Sequence, residues 1–224
     1  ISLKHLQTLF SKVLEVIKEL SSLLIVSGIS FLITFLLLPI SISVAQKFNL
    51  LDKPFLTNNK SIVRPTLGGL SIFIGCLFST LFSFRSIGYD LVLILFTAFS
   101  IVLLVGLRED IYKLNTYKKF IGQISAALIV VSVCDIRLMS LYGLFGIQEV
   151  PVVTSYMLSV FTIIVITNAY NLIDGIDGLA GSVGVIASLF FGTWFFLNDQ
   201  SSFALISFAF AGGLLAFLNF NWAP

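Results

Sequence analysis

With 224 residues, of which 58% are apolar and 11% charged, the chain has too few charges to cover a soluble globular surface, which typically carries about 25% charged residues. A net charge of +2 and a mean hydropathy of +1.06 also exclude a disordered chain or a polyanion-binding one, so no nucleic-acid partner is expected. The composition is that of an integral membrane protein surrounded by a lipid bilayer.

The gaps between the charges mark the elements. Charge-free stretches run over residues 20–46, 65–84, 91–107, 120–134, 150–173, 178–198 and 200–224. A membrane-spanning helix needs about 20 mostly apolar residues and at least about 17. All seven are taken as spans; residues 120–134 are the weak one, short enough to borrow the stem of Lys119. None shows barrel-strand alternation, so the spans are helices. The expected fold class is an all-α polytopic membrane protein with about seven transmembrane helices.

Residues 1–19 come before the first span. Leu6, Leu9, Phe10, Val13, Leu14 and Ile17 follow a helical apolar period, which predicts an amphipathic segment at the membrane surface. Residues 20–224 form the membrane domain. The apolar run after residue 19 is too long for a cleaved signal peptide. The chain starts at Ile1 and stops at Pro224 beside an apolar span, and it reads as a C-terminally truncated fragment.

With seven spans, Lys47, Lys53, Lys60, Arg64, Arg108, Lys113, Lys118 and Lys119 fall on one side, against Arg85 and Arg137 between spans on the other. The positive-inside rule makes the first side cytoplasmic. Cys76 and Cys134 both lie in apolar segments and read as inert buried thiols. His5 is the lone histidine, so acid–base chemistry falls to carboxylates and lysines.

Three stretches on the predicted cytoplasmic side carry the polar chemistry. The first runs from Asp52-Lys53-Pro54 to Arg64-Pro65-Thr66-Leu67-Gly68-Gly69. It can cradle a phosphate with Lys53, Lys60, Arg64 and free backbone N–H groups, or be an ordinary positive-inside loop. The second, Arg108-Glu109-Asp110 through Lys113 to Lys118-Lys119, has adjacent carboxylates ringed by cations. That arrangement suits a divalent ion with phosphates, or a plain Glu109–Lys113 helix pair.

The third is the sharpest: Asn168, Asn171, Asp174 and Asp177 recur every three residues, with Gly175 and Gly178 between them. Polar groups between two long apolar spans are costly unless solvated or occupied. The two glycines are expected to break the helix and turn all four polar residues toward one ligand. In the following span Ala180, Gly184, Ser188 and Gly192 form a small-residue stripe for close helix packing. Residues 135–151 between spans read as a short hairpin.

At Leu51-Asp52-Lys53-Pro54, Pro65-Thr66-Leu67-Gly68-Gly69, Gly106 to Lys113 with Gly122-Gln123, and Asn168 to Gly181, the chain resembles the polyprenyl-phosphate N-acetylhexosamine-1-phosphate transferases. Ile173 leans toward the N-acetylglucosamine-1-phosphate branch, leaving the peptidoglycan-branch phospho-MurNAc-pentapeptide transferases as the alternative. The resemblance implies a family fold of ten or eleven helices in a bacterial inner membrane, with a cytoplasmic cleft. It implies transfer of sugar-1-phosphate from a UDP-N-acetylhexosamine to undecaprenyl phosphate, releasing UMP and initiating a cell-surface polysaccharide.

The same resemblance implies Mg²⁺, with Mn²⁺ as a substitute, and leaves room for a homodimer. By position, Asp110 and Glu109 are the catalytic acidic pair, and Asn171 and Asp110 contact the metal. Asp174, Asp177, Asn168, Lys119, Lys113, Lys53 and Thr66 bind substrate, Lys119 at the diphosphate. Glu109 stands where the family has Asp. The family's later acidic motif is expected beyond Pro224, so this fragment is expected to turn over little alone. The rival reading from another class is a secondary transporter, with the Asn/Asp stretch as a broken helix.

Overall fold

The computed structural model describes residues 3–48, 51–52, 64–65, 67–83, 89–112 and 115–222. The chain is an all-α polytopic membrane protein. Its seven α-helices among these residues are α1 (Leu3–Lys47), α2 (Gly68–Phe82), α3 (Tyr89–Tyr112), α4 (Thr116–Val133), α5 (Val152–Ile173), α6 (Leu179–Leu197) and α7 (Ser201–Asn221). Each overlaps one charge-free stretch, and all but α1 end close to it, because helices in lipid satisfy every backbone group internally and the bilayer core tolerates few charges. Five of them (α1, α3, α5, α6 and α7) are long and apolar enough to cross a membrane. The helix α2 has 15 residues, and α4, whose short charge-free run marked it as the weak span, is not among the five.

The expected amphipathic segment and the first span are one helix. At 1.5 Å per residue the 45 residues of α1 extend about 68 Å, more than twice the roughly 30 Å of a bilayer core. Phe10, Leu14 and Ile17 are exposed on its N-terminal part.

The chain divides into two units. The first holds residues 1–43, 68–87 and 181–224, hence most of α1 and α6 with α2 and α7. Backbones meet closely here. A Cβ on Gly212 of α7 would land on the Ser27 carbonyl of α1, and one on Gly75 of α2 would land on Thr34 of α1. Small polar side chains line the α1–α2 seam: Ser41 and Ser71 hydroxyls are 2.7 Å apart, and Thr34 donates to the Ser71 carbonyl at 3.4 Å. In lipid there is no hydrophobic drive between helices, so close approach and interhelical hydrogen bonds supply the association. The predicted stripe on α6 behaves this way. Gly192 packs on Ser207 and Phe208 of α7, and the neighbouring Gly181 leaves only 2.7 Å between an added Cβ and Leu218. Cys76 is buried and both cysteines are free thiols.

The second unit holds residues 44–67 and 88–180, with α3, α4 and α5 around Val92, Phe96, Ala127 and Val131. Here the structure adds a pairing that the sequence did not signal: β1 (Leu51–Asp52) and β2 (Arg64–Pro65) run antiparallel, with Asp52 opposite Arg64. The predicted hairpin at residues 135–151 is present, bridged at Ser140 and Glu149. Arg137 pins it: Nε donates to Asp135 at 2.7 Å and the guanidinium lies over the Tyr156 ring of α5. The Asp135 hydrogen bond holds the Arg137 pKa above its ordinary value.

Candidate functional site

The Asn/Asp stretch forms the end of one helix, a turn and the start of the next. Asn168 and Asn171 lie in the last two turns of α5, and Asp174 caps it in an αR conformation. Backbone bonds from Ile176 N to Ile173 O (3.4 Å) and from Leu179 N to Ile176 O (3.1 Å) shape the turn. Of the two glycines expected to break the helix, only Gly178 takes a left-handed φ, at 75°. A Cβ at Gly175 would make only an ordinary 3.9 Å contact. The helix has already stopped at Ile173, because the polar run at the membrane surface can hydrogen-bond elsewhere.

Asn171, Asp174 and Asp177 are exposed and Asn168 is half-buried. The carboxylates stand at the C-terminal, partially negative end of α5, which with Asn171 favours a cation. Among the described residues no group of three or more His, Cys, Asp or Glu side chains converges. Mg²⁺ does not require one, since it takes one or two carboxylates and fills its shell with water and phosphate oxygens. The donor set at this turn fits such an ion.

The neighbouring helices bring in a cation and an amide. Lys119 of α4 bridges both carboxylate oxygens of Glu109 on α3, at 3.0 and 2.9 Å, with the lysine side chain 18% exposed. This is a different partner from Lys113, the one suggested by helical spacing; Lys113 lies outside the described residues. One turn further along α4, about 6 Å, Gln123 is buried and its Oε1 accepts a 3.0 Å hydrogen bond from Asn168 Nδ2. A row of polar contacts therefore crosses α3, α4 and α5 from Glu109 to Asn168.

Of the residues singled out in the sequence, the structure connects Glu109 with Lys119 and sets Asn168, Asn171, Asp174 and Asp177 along one helix end and turn. Lys53 and Thr66 lie outside the described residues, as does the side chain of Asp110. Sequence reasoning gave no role to two participants. Gln123, noted only as part of the resemblance, is an uncharged polar residue near the start of a charge-free span. Tyr170 had no readable signal: its hydroxyl donates to the Ala180 carbonyl, fastening the end of α5 to the start of α6.

Residues 92–224 match the profile of glycosyl transferase family 4, more than half of the chain. The chain belongs to that family. It is also 29% identical over 211 residues to an undecaprenyl-phosphate alpha-N-acetylglucosaminyl 1-phosphate transferase of Salmonella typhi, covering 94% of this chain and 55% of the relative. A probable undecaprenyl-phosphate N-acetylglucosaminyl 1-phosphate transferase of Bacillus subtilis (strain 168) is 31% identical over 205 residues, covering 88% and 54%. The chain thus spans about half the length of the curated relatives it matches.

Proposed function

We propose that the intact protein transfers N-acetylhexosamine-1-phosphate from a UDP-sugar to undecaprenyl phosphate, at the cytoplasmic face of a bacterial inner membrane. The observation that carries this reading is the Asn171–Asp177 turn one helical neighbour away from Lys119. A carboxylate-rich helix end beside an ion-paired lysine offers cation sites and an anion site together, as a metal–diphosphate substrate requires. The names of the two relatives support undecaprenyl phosphate and the N-acetylglucosamine unit as substrate classes.

In this reading an oxygen of the lipid phosphate attacks the β-phosphorus of the UDP-sugar. The new phosphorus–oxygen bond forms as the bond from the β-phosphorus to the bridging oxygen breaks, and UMP leaves with that electron pair. Asp110 orients or deprotonates the lipid phosphate. Lys119 leaves Glu109 for the diphosphate, so Glu109 stores the lysine in position until substrate arrives. Asp174 and Asp177 hold the nucleotide side. Asn171 and Asp110 would hold Mg²⁺, which when bound supplies charge neutralisation at the transferring phosphoryl group.

The test is isothermal titration of UDP-N-acetylglucosamine into the intact protein with Mg²⁺. Asp174→Asn, which removes charge but keeps turn-forming capacity, should weaken binding roughly ten- to a hundredfold, from about 1.5–3 kcal/mol for a contact to a charged group. Unchanged affinity would leave the stretch as a turn.

A further inference from the structure

We infer that Gln123 is a positioning residue for the transfer reaction, holding the Asn168 amide in the orientation it offers the sugar nucleotide. The inference rests on the transferase reading and concerns a side chain outside the Asn/Asp stretch itself. Asn168 Nδ2 makes two hydrogen bonds, to Gln123 Oε1 at 3.0 Å and to the Ile164 carbonyl at 2.8 Å. An amide nitrogen has two donors, so both are used, and both acceptors lie on the nitrogen side. Oδ1 must point the other way.

A flipped amide would set Oδ1 against the Ile164 carbonyl, which can only accept, so that carbonyl decides the nitrogen side; Gln123, by taking the second N–H from another helix, holds the amide plane in place. Gln123 is 6% exposed and comes from a different helix, so the pair also fixes where α4 sits against the end of α5. Gln123 follows Lys119 by four residues on the same face of α4. The helix that offers the cation for the diphosphate thereby sets the amide for the rest of the ligand. Asn168 then presents a neutral acceptor, suited to an N–H or O–H of the sugar or the uracil and unsuited to a phosphate oxygen.

The experiment measures KM and kcat for UDP-N-acetylglucosamine with the intact protein in lipid nanodiscs, alongside its melting temperature. Gln123→Leu should raise KM on the order of three- to tenfold, the size of one lost neutral hydrogen bond, with kcat within about twofold. Gln123→Asn, chemically identical but one methylene too short to reach, should do the same with an unchanged melting temperature, which covers the case of a Leu variant that folds poorly. In an Asn168→Ala background either change should add nothing, as expected when two residues act through one contact. An unchanged KM in Gln123→Asn, or an equal rise in both backgrounds, would overturn the positioning role. A wild-type protein that turns over no UDP-N-acetylhexosamine would instead overturn the transferase reading, and the inference with it.

Discussion

Lys119 shows how a single side chain can be held ready. In water a partly exposed ion pair contributes no more than about 1 kcal/mol, so the Glu109 bridge is a weak tether that a diphosphate can displace. Lys119→Ala should raise KM for the UDP-sugar roughly tenfold or more by removing a charged contact. Glu109→Asp should leave turnover largely intact, since it keeps the charge and loses only reach. Steady-state kinetics on both variants checks this, and equal losses in the two would contradict it. Residue types and order were readable in the sequence here. The partnership of Glu109 with Lys119 was not, because helical spacing pointed to Lys113 and the real contact crosses between helices. The same holds for Gln123 and Asn168, 45 residues apart.

At the scale of elements, charge gaps located every helix but α1 to within a few residues, since lipid excludes charge more strictly than any propensity acts. What they could not show was the continuity of α1 across residue 19, because charges at Lys12, Glu15, Lys18 and Glu19 interrupt hydropathy without breaking a helix. Nor could they reveal β1 and β2, two residues each, too short to leave a period. The turn between α5 and α6 offers a direct test. Gly178 sits at φ 75° and is buried, whereas Gly175 has room for a methyl group. Gly178→Ala should destabilise the protein by about 1 kcal/mol or more through left-handed strain, and Gly175→Ala should be near neutral. Thermal unfolding of the two in detergent distinguishes them, and equal melting temperatures would contradict the assigned backbone.

For the molecule as a whole, a topology in which α4 and α5 both cross would place the Glu109, Lys119 and Asn168–Asp177 groups on one membrane side and the hairpin of residues 135–151 on the other. In a background with Cys76 and Cys134 replaced by serine, cysteines at Lys60, Thr116 and Gly175 should resist membrane-impermeant thiol reagents in intact cells, and one at Ile147 should label. The reverse pattern would move the site to the wrong side for a cytoplasmic nucleotide sugar. The central claim is the transfer itself. Membranes containing the intact protein, supplied with Mg²⁺, undecaprenyl phosphate and UDP-N-acetylglucosamine labelled in the sugar and the β-phosphate, should yield labelled lipid and one UMP per transfer. Label that stays water-soluble, or lipid labelling that persists undiminished in Asp174→Asn, would contradict the account.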